Sequence, residues 1–457
     1  MTGVAAISHA GAGDIVAFCG ARAVDAAQFM ADVERVAHFL PERAFLVNLC
    51  ADRYRFAVGL IAALVRGQKS LLPPDQTPAM LLQLQRDYAN LYALGDGAPS
   101  SGVLEHFNFP AAGNTSQASS EFAVPLLAEA QIAAIAFTSG STAAPRPHPK
   151  TWGALARGAT AQLERLGLNL APPAALVATV PAQHMFGLES SVLLALRGGL
   201  ALHSERPFYP ADVARALGQI PVDRVLVTTP VHLRALLNSD TRLPPLRQII
   251  CATAPLSPQM AAQVEVRYAA PLYEVYGFTE AGMVATRRTV RGPEWQCLND
   301  LLLRGEGNDV RVAGGHVEQE VAFTDLVQPI GNQSFILHGR SADLVNIAGK
   351  RTSLGHLNHQ LNSIKGVQDG VFFMPDEKVD AVTRLTALVV APGVQRETLM
   401  AALRERIDAV FLPRPLYLVD ALPRNATGKL PRDMLLQFAR ACAEANNAEA
   451  TWNNSSS

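Results

Sequence analysis

A chain of 457 residues, 49% hydrophobic and 17% charged, carries more apolar material than one compact core accommodates, so two or three domains are expected. With 39 basic against 40 acidic side chains, a net charge of -1, it lacks the electrostatic footprint of a nucleic-acid or anionic-membrane binder. Its five cysteines (Cys19, Cys50, Cys251, Cys297 and Cys442) are odd in number and lack CxxC spacing, which excludes a disulfide framework or zinc site and points to a reducing, cytoplasmic setting. No basic leader opens the chain, and the most apolar run, 56–65, is too short to span a bilayer.

In chain order, residues 46–49 and 56–66 read as a strand and then a buried helix. Residues 98–121, rich in Gly, Pro, Ser, Asn and Gln, read as a surface loop. Strands are then predicted at 132–137, 176–180, 200–203, 224–228 and 247–252, alternating with helices at 187–196 and 231–237. That alternation predicts an α/β architecture with mixed and parallel sheets, in which ligands bind at the carboxyl ends of the strands. After Arg340 the pattern changes to a small α+β unit, with helices at 354–362 and 396–410 and strands at 385–390 and 416–419. The predicted organisation is a large N-terminal domain over 1–340, a small C-terminal lid domain over 341–440 and a flexible tail over 441–457.

Four segments have the composition of nucleotide-handling loops. Thr138-Ser139-Gly140-Ser141-Thr142 follows a predicted strand, and its hydroxyls and free N–H groups suit a polyphosphate. It is not a Walker loop, because no Gly-Lys-Ser/Thr follows. In Glu274-Val275-Tyr276-Gly277-Phe278-Thr279-Glu280, Tyr276 offers an aromatic face to a purine, Thr279 a hydroxyl to a phosphate and Glu280 a hard oxygen ligand to Mg²⁺. Asp325, after Phe323-Thr324, can accept ribose hydroxyls, with Arg340 in reach of the same sugar or the phosphate. Finally, the chain has six lysines among its basic residues, and one of them, Lys429, sits in the Gly-flanked segment Asn425-Ala426-Thr427-Gly428-Lys429, suited to delivering a mobile point charge. Taken singly, these segments read equally as a Ser/Thr turn, a core Tyr with a solvated Glu, a surface ion pair and a loop lysine.

As an ordered set, over about 130–435, they resemble the adenylate-forming superfamily of acyl-CoA synthetases, aryl-CoA ligases, acyl-carrier-protein synthetase-like AMP-binding enzymes and adenylation domains. The resemblance implies that Thr138, Ser139, Gly140, Ser141, Thr142, Lys150, Ala252, Thr253, Ala254, Tyr276, Gly277, Thr279, Asp325, Arg340 and Arg351 contact ATP or AMP. It implies catalytic roles for Lys429, Thr279 and Glu280, with Glu280 holding Mg²⁺. His184, Phe186, Gly187, Gly277 and Met283 would line the acyl site, Gly349 the pantetheine tunnel, and Ala342 would be the hinge. Three departures stand out. The phosphate loop continues Ala143-Ala144-Pro145-Arg146-Pro147-His148-Pro149-Lys150, so either Arg146 or Lys150 supplies its positive charge. Ala342 replaces the usual Asp or Lys of the hinge, and His356-Leu357-Asn358 replaces an acidic position in the lid.

The implied function is an AMP-forming ligase that activates an aromatic or fatty carboxylic acid with ATP and Mg²⁺ and passes it to a phosphopantetheine thiol. Holo acyl carrier protein is the preferred acceptor and CoA the alternative, with a non-catalytic nucleotide-binding relative as the reading from another class. Neither a nucleic-acid partner nor a membrane span is expected, and a homodimer is a candidate assembly.

Overall fold

The structure, a computed structural model, describes residues 3–97, 102–111, 122–137, 146–169, 173–307, 309–340, 344–347, 350–375, 384–424 and 430–455. The predicted positions Thr138 to Thr142, Ala342, Gly349 and Lys429 lie outside these residues.

Among the described residues, eleven strands form the largest sheet. Their spatial order is Asp325–Ile330, Ser334–Arg340, Glu294–Cys297, Gly282–Arg287, Leu272–Phe278, Gln248–Cys251, Asp223–Thr228, Ala174–Ala178, Ala201–His203, Ile15–Cys19 and Arg22–Asp25. The run from Leu272–Phe278 to Ile15–Cys19 pairs in parallel, and antiparallel strands extend it at both ends. Central strands such as Ala174–Ala178 and Gln248–Cys251 are buried along their whole length. That is why they read as continuous apolar runs rather than alternating ones.

A second, six-stranded sheet carries Pro147–Thr151 and Ile132–Phe137 at one edge, followed by Lys69–Leu72, Phe45–Asn48, Tyr92–Gly95 and Glu105–Asn108. Helix Arg53–Val65 touches strands of both sheets, so nearly all its faces are buried and its hydrophobicity runs around the whole helix. Its first residue, Arg53, is 1% exposed and donates to the carbonyls of Ala178 and Val180 at 2.8 Å each and to Ser191 Oγ at 3.1 Å. Removed from water, a guanidinium needs such acceptors; here they tie the end of a central strand to the helix that follows it.

From 344 onward the described strands form small sheets of their own. Hairpin Leu344–Ile347/Lys350–Ser353 leads into helix Leu354–Asn362, and strands Asp369–Phe373, Thr386–Val390 and Leu416–Leu418 pack with helix Arg396–Arg404. Leu357, Leu361, Phe372, Ala387, Leu399 and Leu403 form a separate core there. A large N-terminal α/β portion and a small C-terminal α+β portion therefore make up the fold.

Several local expectations are corrected. Residues 441–455, expected as a flexible tail, lie on helix Arg432–Ser455, where Ala and Glu are good helix formers. Within the loop expected at 98–121, Glu105–Asn108 is an edge strand paired to Tyr92–Gly95. The helix expected at 187–196 starts earlier, at Met185–Gly187, passes through a π-helical stretch, Leu188–Leu193, and ends at Leu194–Gly198. Ser191 Oγ donates back to the Gly187 carbonyl inside the wider turn. Such back-bonding by a helical Ser, satisfying a carbonyl the normal ladder would use, suits π-helical geometry.

Candidate active site

The hairpin formed by Leu272–Phe278 and Gly282–Arg287 is the frame of the site, with Thr279, Glu280 and Ala281 at its tip. Its register shifts between Tyr276 and Gly277, where a Cβ on Gly277 would lie 2.4 Å from the Gly282 carbonyl oxygen. Only glycine lets the two strands approach this closely. The Tyr276 hydroxyl donates to Asp325 Oδ2 at 2.8 Å. Its ring lies parallel to Phe323, centroids 6.1 Å apart, and edge-on to Phe335 at 5.6 Å. The aromatic group thus fixes the Tyr276 plane before any ligand arrives.

Across the sheet edge, Asp325 and Arg340 are register partners. Asp325, Tyr276 and the Glu280 turn therefore converge although 49 residues separate the first two. Ala252, Thr253 and Ala254 follow strand Gln248–Cys251, which is the parallel neighbour of the Tyr276 strand. Thr253 adopts a φ of 79°, a left-handed conformation that strongly disfavours a β-branched residue, and its buried Oγ1 has no hydrogen-bond partner among the described residues. Strain and an orphaned hydroxyl at one position mark a place shaped for something other than stability.

The structure separates the two cations proposed for the phosphate loop. Arg146 is exposed, whereas Lys150 is 9% exposed and donates from Nζ to the Glu280 carbonyl at 2.5 Å. Burial lowers the Lys150 pKa, against the pull of Glu189, Glu280 and Glu318. Its charge is directed into the hairpin. Beside it, His148 Nε2 lies 3.9 Å from Glu280 Oε1, and burial lowers the imidazole pKa.

Among the residues expected to line the acyl site, His184 immediately precedes Met185–Gly187, and Leu188 N–H donates to the His184 carbonyl at 2.7 Å. His184 and Phe186 are half-buried. A Cβ on Gly187 would lie 1.9 Å from the Pro181 carbonyl oxygen, so this glycine serves close backbone packing. Met283 is 4% exposed, and its N–H donates to Glu189 Oε1 at 3.3 Å. That contact brings the helix of Phe186 and Gly187 against the hairpin of Gly277 and Met283.

Sequence reasoning missed Glu189 and His316. Glu189 stands on the π-helical stretch, and desolvation pushes its pKa up to about 7 despite Lys150 nearby. His316, in the turn between Arg311–Gly314 and Val317–Ala322, is 6% exposed, and burial pushes its pKa down to about 4 against the pull of the Met283 backbone. A carboxylate inside the apolar run Leu188-Glu189-Ser190-Ser191-Val192 was the available signal for the first. Nothing in the sequence links His316 to it.

An ion-pair bridge joins the C-terminal portion to the N-terminal one. Asp369 accepts two hydrogen bonds from Arg424 Nη2, at 3.0 and 2.9 Å, and pairs with Arg234 of helix Pro230–Leu237 at 2.9 Å. Arg351 lies on strand Lys350–Ser353, opposite Asn346. No cluster of three or more His, Cys, Asp or Glu that could hold a metal occurs among the described residues. A cation at Glu280 would thus need oxygen atoms from a substrate, which suits Mg²⁺ bound with phosphates. No helix among the described residues is long and apolar enough to cross a membrane.

Known proteins resemble the chain in sequence and in fold. The family model for AMP-binding enzymes matches residues 95–301. A 4-coumarate–CoA ligase of Halorhodospira halophila is 30% identical over 305 residues, covering 64% of this chain and 73% of that protein. Another, from Rhodobacter capsulatus, is 29% identical over 296 residues, with the same coverage of 64% and 73%. In fold, the chain superposes on O-succinylbenzoate coenzyme A synthetase of Bacillus subtilis in complex with ATP and magnesium ion. The TM-score is 0.75 at 18% identity, covering 92% of this chain and 96% of that one.

Proposed function

The chain belongs to the family of AMP-binding enzymes, and from that premise we propose that it activates an aromatic or fatty carboxylic acid as its acyl-adenylate and transfers the acyl group to a phosphopantetheine thiol. It is an ATP-dependent, AMP-forming ligase. The observation that carries the reading is the 2.8 Å hydrogen bond that joins Tyr276, on the strand leading into the Thr279–Glu280 turn, to Asp325.

In this reading the carboxylate attacks the α-phosphorus of ATP and pyrophosphate leaves. Tyr276 and the Ala252-Thr253-Ala254 segment border the adenine, Asp325 and Arg340 hold the ribose, and Thr279 meets the α-phosphate. Mg²⁺, when bound by Glu280 and the phosphates, supplies charge neutralisation as pyrophosphate departs. Lys429 adds a positive charge to the same oxygens. Arg146, exposed beside the phosphate loop, serves that loop, while Lys150 braces the hairpin through the Glu280 carbonyl. Losing one such preorganised contact costs on the order of 100-fold or more in rate. The acyl-adenylate is hydrolysable, so closure of the C-terminal domain (341–440) about Ala342 excludes water, and Gly349 lets the pantetheine arm reach the acyl carbon. The thiol then displaces AMP.

Two carriers of that thiol are distinguished by one experiment. A holo acyl carrier protein is the acceptor favoured by the sequence reading; free CoA is favoured by the names of the relatives, which are CoA ligases. Incubating the purified acyl-adenylate complex with each, and quantifying thioester, identifies the acceptor. Carboxylate-dependent ATP–pyrophosphate exchange tests the first half-reaction and is expected to fall about 100-fold in Lys429→Ala. Absence of exchange with a broad panel of acids would favour a non-catalytic nucleotide-binding protein.

A further inference from the structure

Away from the hairpin, a cavity of about 180 Å³ opens between strand Arg22–Asp25, helix Ala26–Phe39, the start of helix Arg53–Val65 and the loop after strand Glu105–Asn108. Three guanidiniums, those of Arg22, Arg35 and Arg55, and two carboxylates, those of Asp32 and Asp52, line it. Both carboxylates are already engaged. Asp32 accepts from Arg35 Nη2 at 2.9 Å and from the Tyr54 hydroxyl at 2.6 Å, and Asp52 caps its helix by accepting from Arg55 N–H at 2.9 Å. Arg35 also donates to the carbonyls of Pro110 and Ala111, at 3.2 and 2.9 Å, which ties down the loop that walls the cavity. Arg22 and Arg55 differ: both are exposed, and neither forms an ion pair among the described residues. Arg22 reaches the Cys19 thiol, and the Arg55 guanidinium lies 5.7 Å from the Phe109 ring centroid. Each is placed by a neighbour that leaves its charge uncompensated.

We propose that this cavity is a phosphate-group site, separate from the ATP cleft, in which Arg22 and Arg55 grip the terminal oxygens of a phosphate or phosphate monoester. With both aspartates engaged, the two spare guanidiniums select an anion, repel a cation and stay unpaired against a neutral group. Each presents a planar fork of donors. A carboxylate has two oxygens and satisfies one fork. A phosphate monoester carries three terminal oxygens and a charge of about −1.5 to −2 at neutral pH, so it serves two forks at once. The volume equals that of roughly six waters, which suits a phosphate group with its ester oxygen and excludes a whole nucleotide. The remainder of a larger ligand therefore lies outside the cavity. The same loop touches the segment expected to line the acyl site, since Gln183 Nε2 donates at 2.6 Å to the carbonyl of Cys50, two residues before Asp52. Two sources carry a group of this chemistry: free inorganic phosphate, and the 3′-phosphate at the nucleotide end of CoA.

The test uses the full chain and two variants, Arg22→Ala and Arg55→Ala. Both side chains are exposed, so both variants are expected to keep the melting temperature and the ATP–pyrophosphate exchange of the wild type. Inorganic phosphate is titrated and its binding followed by ³¹P NMR line broadening. The wild type is expected to bind it saturably, and each variant to weaken that binding about tenfold, the loss that accompanies removal of a charge-assisted contact. Absence of saturable binding to the wild type overturns the proposal, and so does an affinity that either variant leaves unchanged. Isothermal titration with CoA and with dephospho-CoA, which lacks the 3′-phosphate, then distinguishes the sources. An advantage of about tenfold for CoA that disappears in both variants assigns the site to the coenzyme. Equal binding of the two, with phosphate binding still weakened in both variants, assigns it to free phosphate. Because the readout is binding, the result is independent of the ligase reading.

Discussion

Replacing Glu189 by Gln removes a carboxylate that folding holds in an unfavourable place, so its effect on stability depends on pH with a definite sign. In the folded chain desolvation pushes the Glu189 pKa up to about 7, from an ordinary 4.5. Below about pH 4.5 both the folded and the unfolded chain hold the proton, and the site costs nothing. Between 4.5 and 7 the unfolded chain gives the proton up while the folded chain keeps it, so stability falls as pH rises; above 7 the penalty is constant. A displacement of this size corresponds to about 3 kcal/mol, an upper bound because Glu189 retains some contact with solvent. Gln keeps an acceptor for the Met283 N–H without the charge. Glu189→Gln is therefore expected to leave the melting temperature nearly unchanged at pH 5 and to raise it by a few degrees at pH 8. Differential scanning calorimetry at the two pH values makes the comparison. A variant that is destabilised at pH 8, and more so than at pH 5, would show that Glu189 is an ionised, stabilising partner of Lys150, and the reasoning would be wrong.

Three further outcomes are expected. Tyr276→Phe loses the hydrogen bond to Asp325, worth about 1 kcal/mol, so the KM for ATP should rise roughly fivefold with kcat little changed in steady-state kinetics. Gly277→Ala places a Cβ against the Gly282 carbonyl, which cannot move without shifting the Thr279–Glu280 turn; exchange activity should fall about 100-fold in a protein whose circular dichroism shows it folded. Arg234→Ala cuts the bridge between the N-terminal portion and Asp369 while Arg424 still holds that carboxylate, so limited proteolysis between the two portions should accelerate several-fold. Asp369→Ala strips both arginines of their partner and should in addition lower the melting transition of the C-terminal portion.

Much of the architecture is legible from local pattern. The strand at Ile132–Phe137 and the helix at Leu354–Asn362 have the residue bounds that their apolar runs predict. Neighbouring elements differ by one or two residues, as expected where ends fray. The Tyr276–Glu280 segment was recognisable because one short hairpin carries its aromatic, glycine, hydroxyl and carboxylate, and their spacing survives in the linear chain. The π-helical stretch was not legible, since apolar periodicity is nearly the same for an α-helix and a π-helix over so few residues.

Residue type and order by themselves determined the adenylate-forming family and the α/β class, because those depend on chemistry written within a few consecutive residues. Only tertiary structure decided which way the polar groups turn. Lys150 meets the Glu280 carbonyl across 130 residues, Met283 meets Glu189 across 94, and Asp369 pairs with Arg424 across 55. His316 reaches Gly282 from a hairpin in another sheet. Electrostatic environment and burial arise from what folding brings together, and no local pattern encodes that. The same lysine that reads as a phosphate-loop cation in the chain becomes, once buried, a brace for the hairpin.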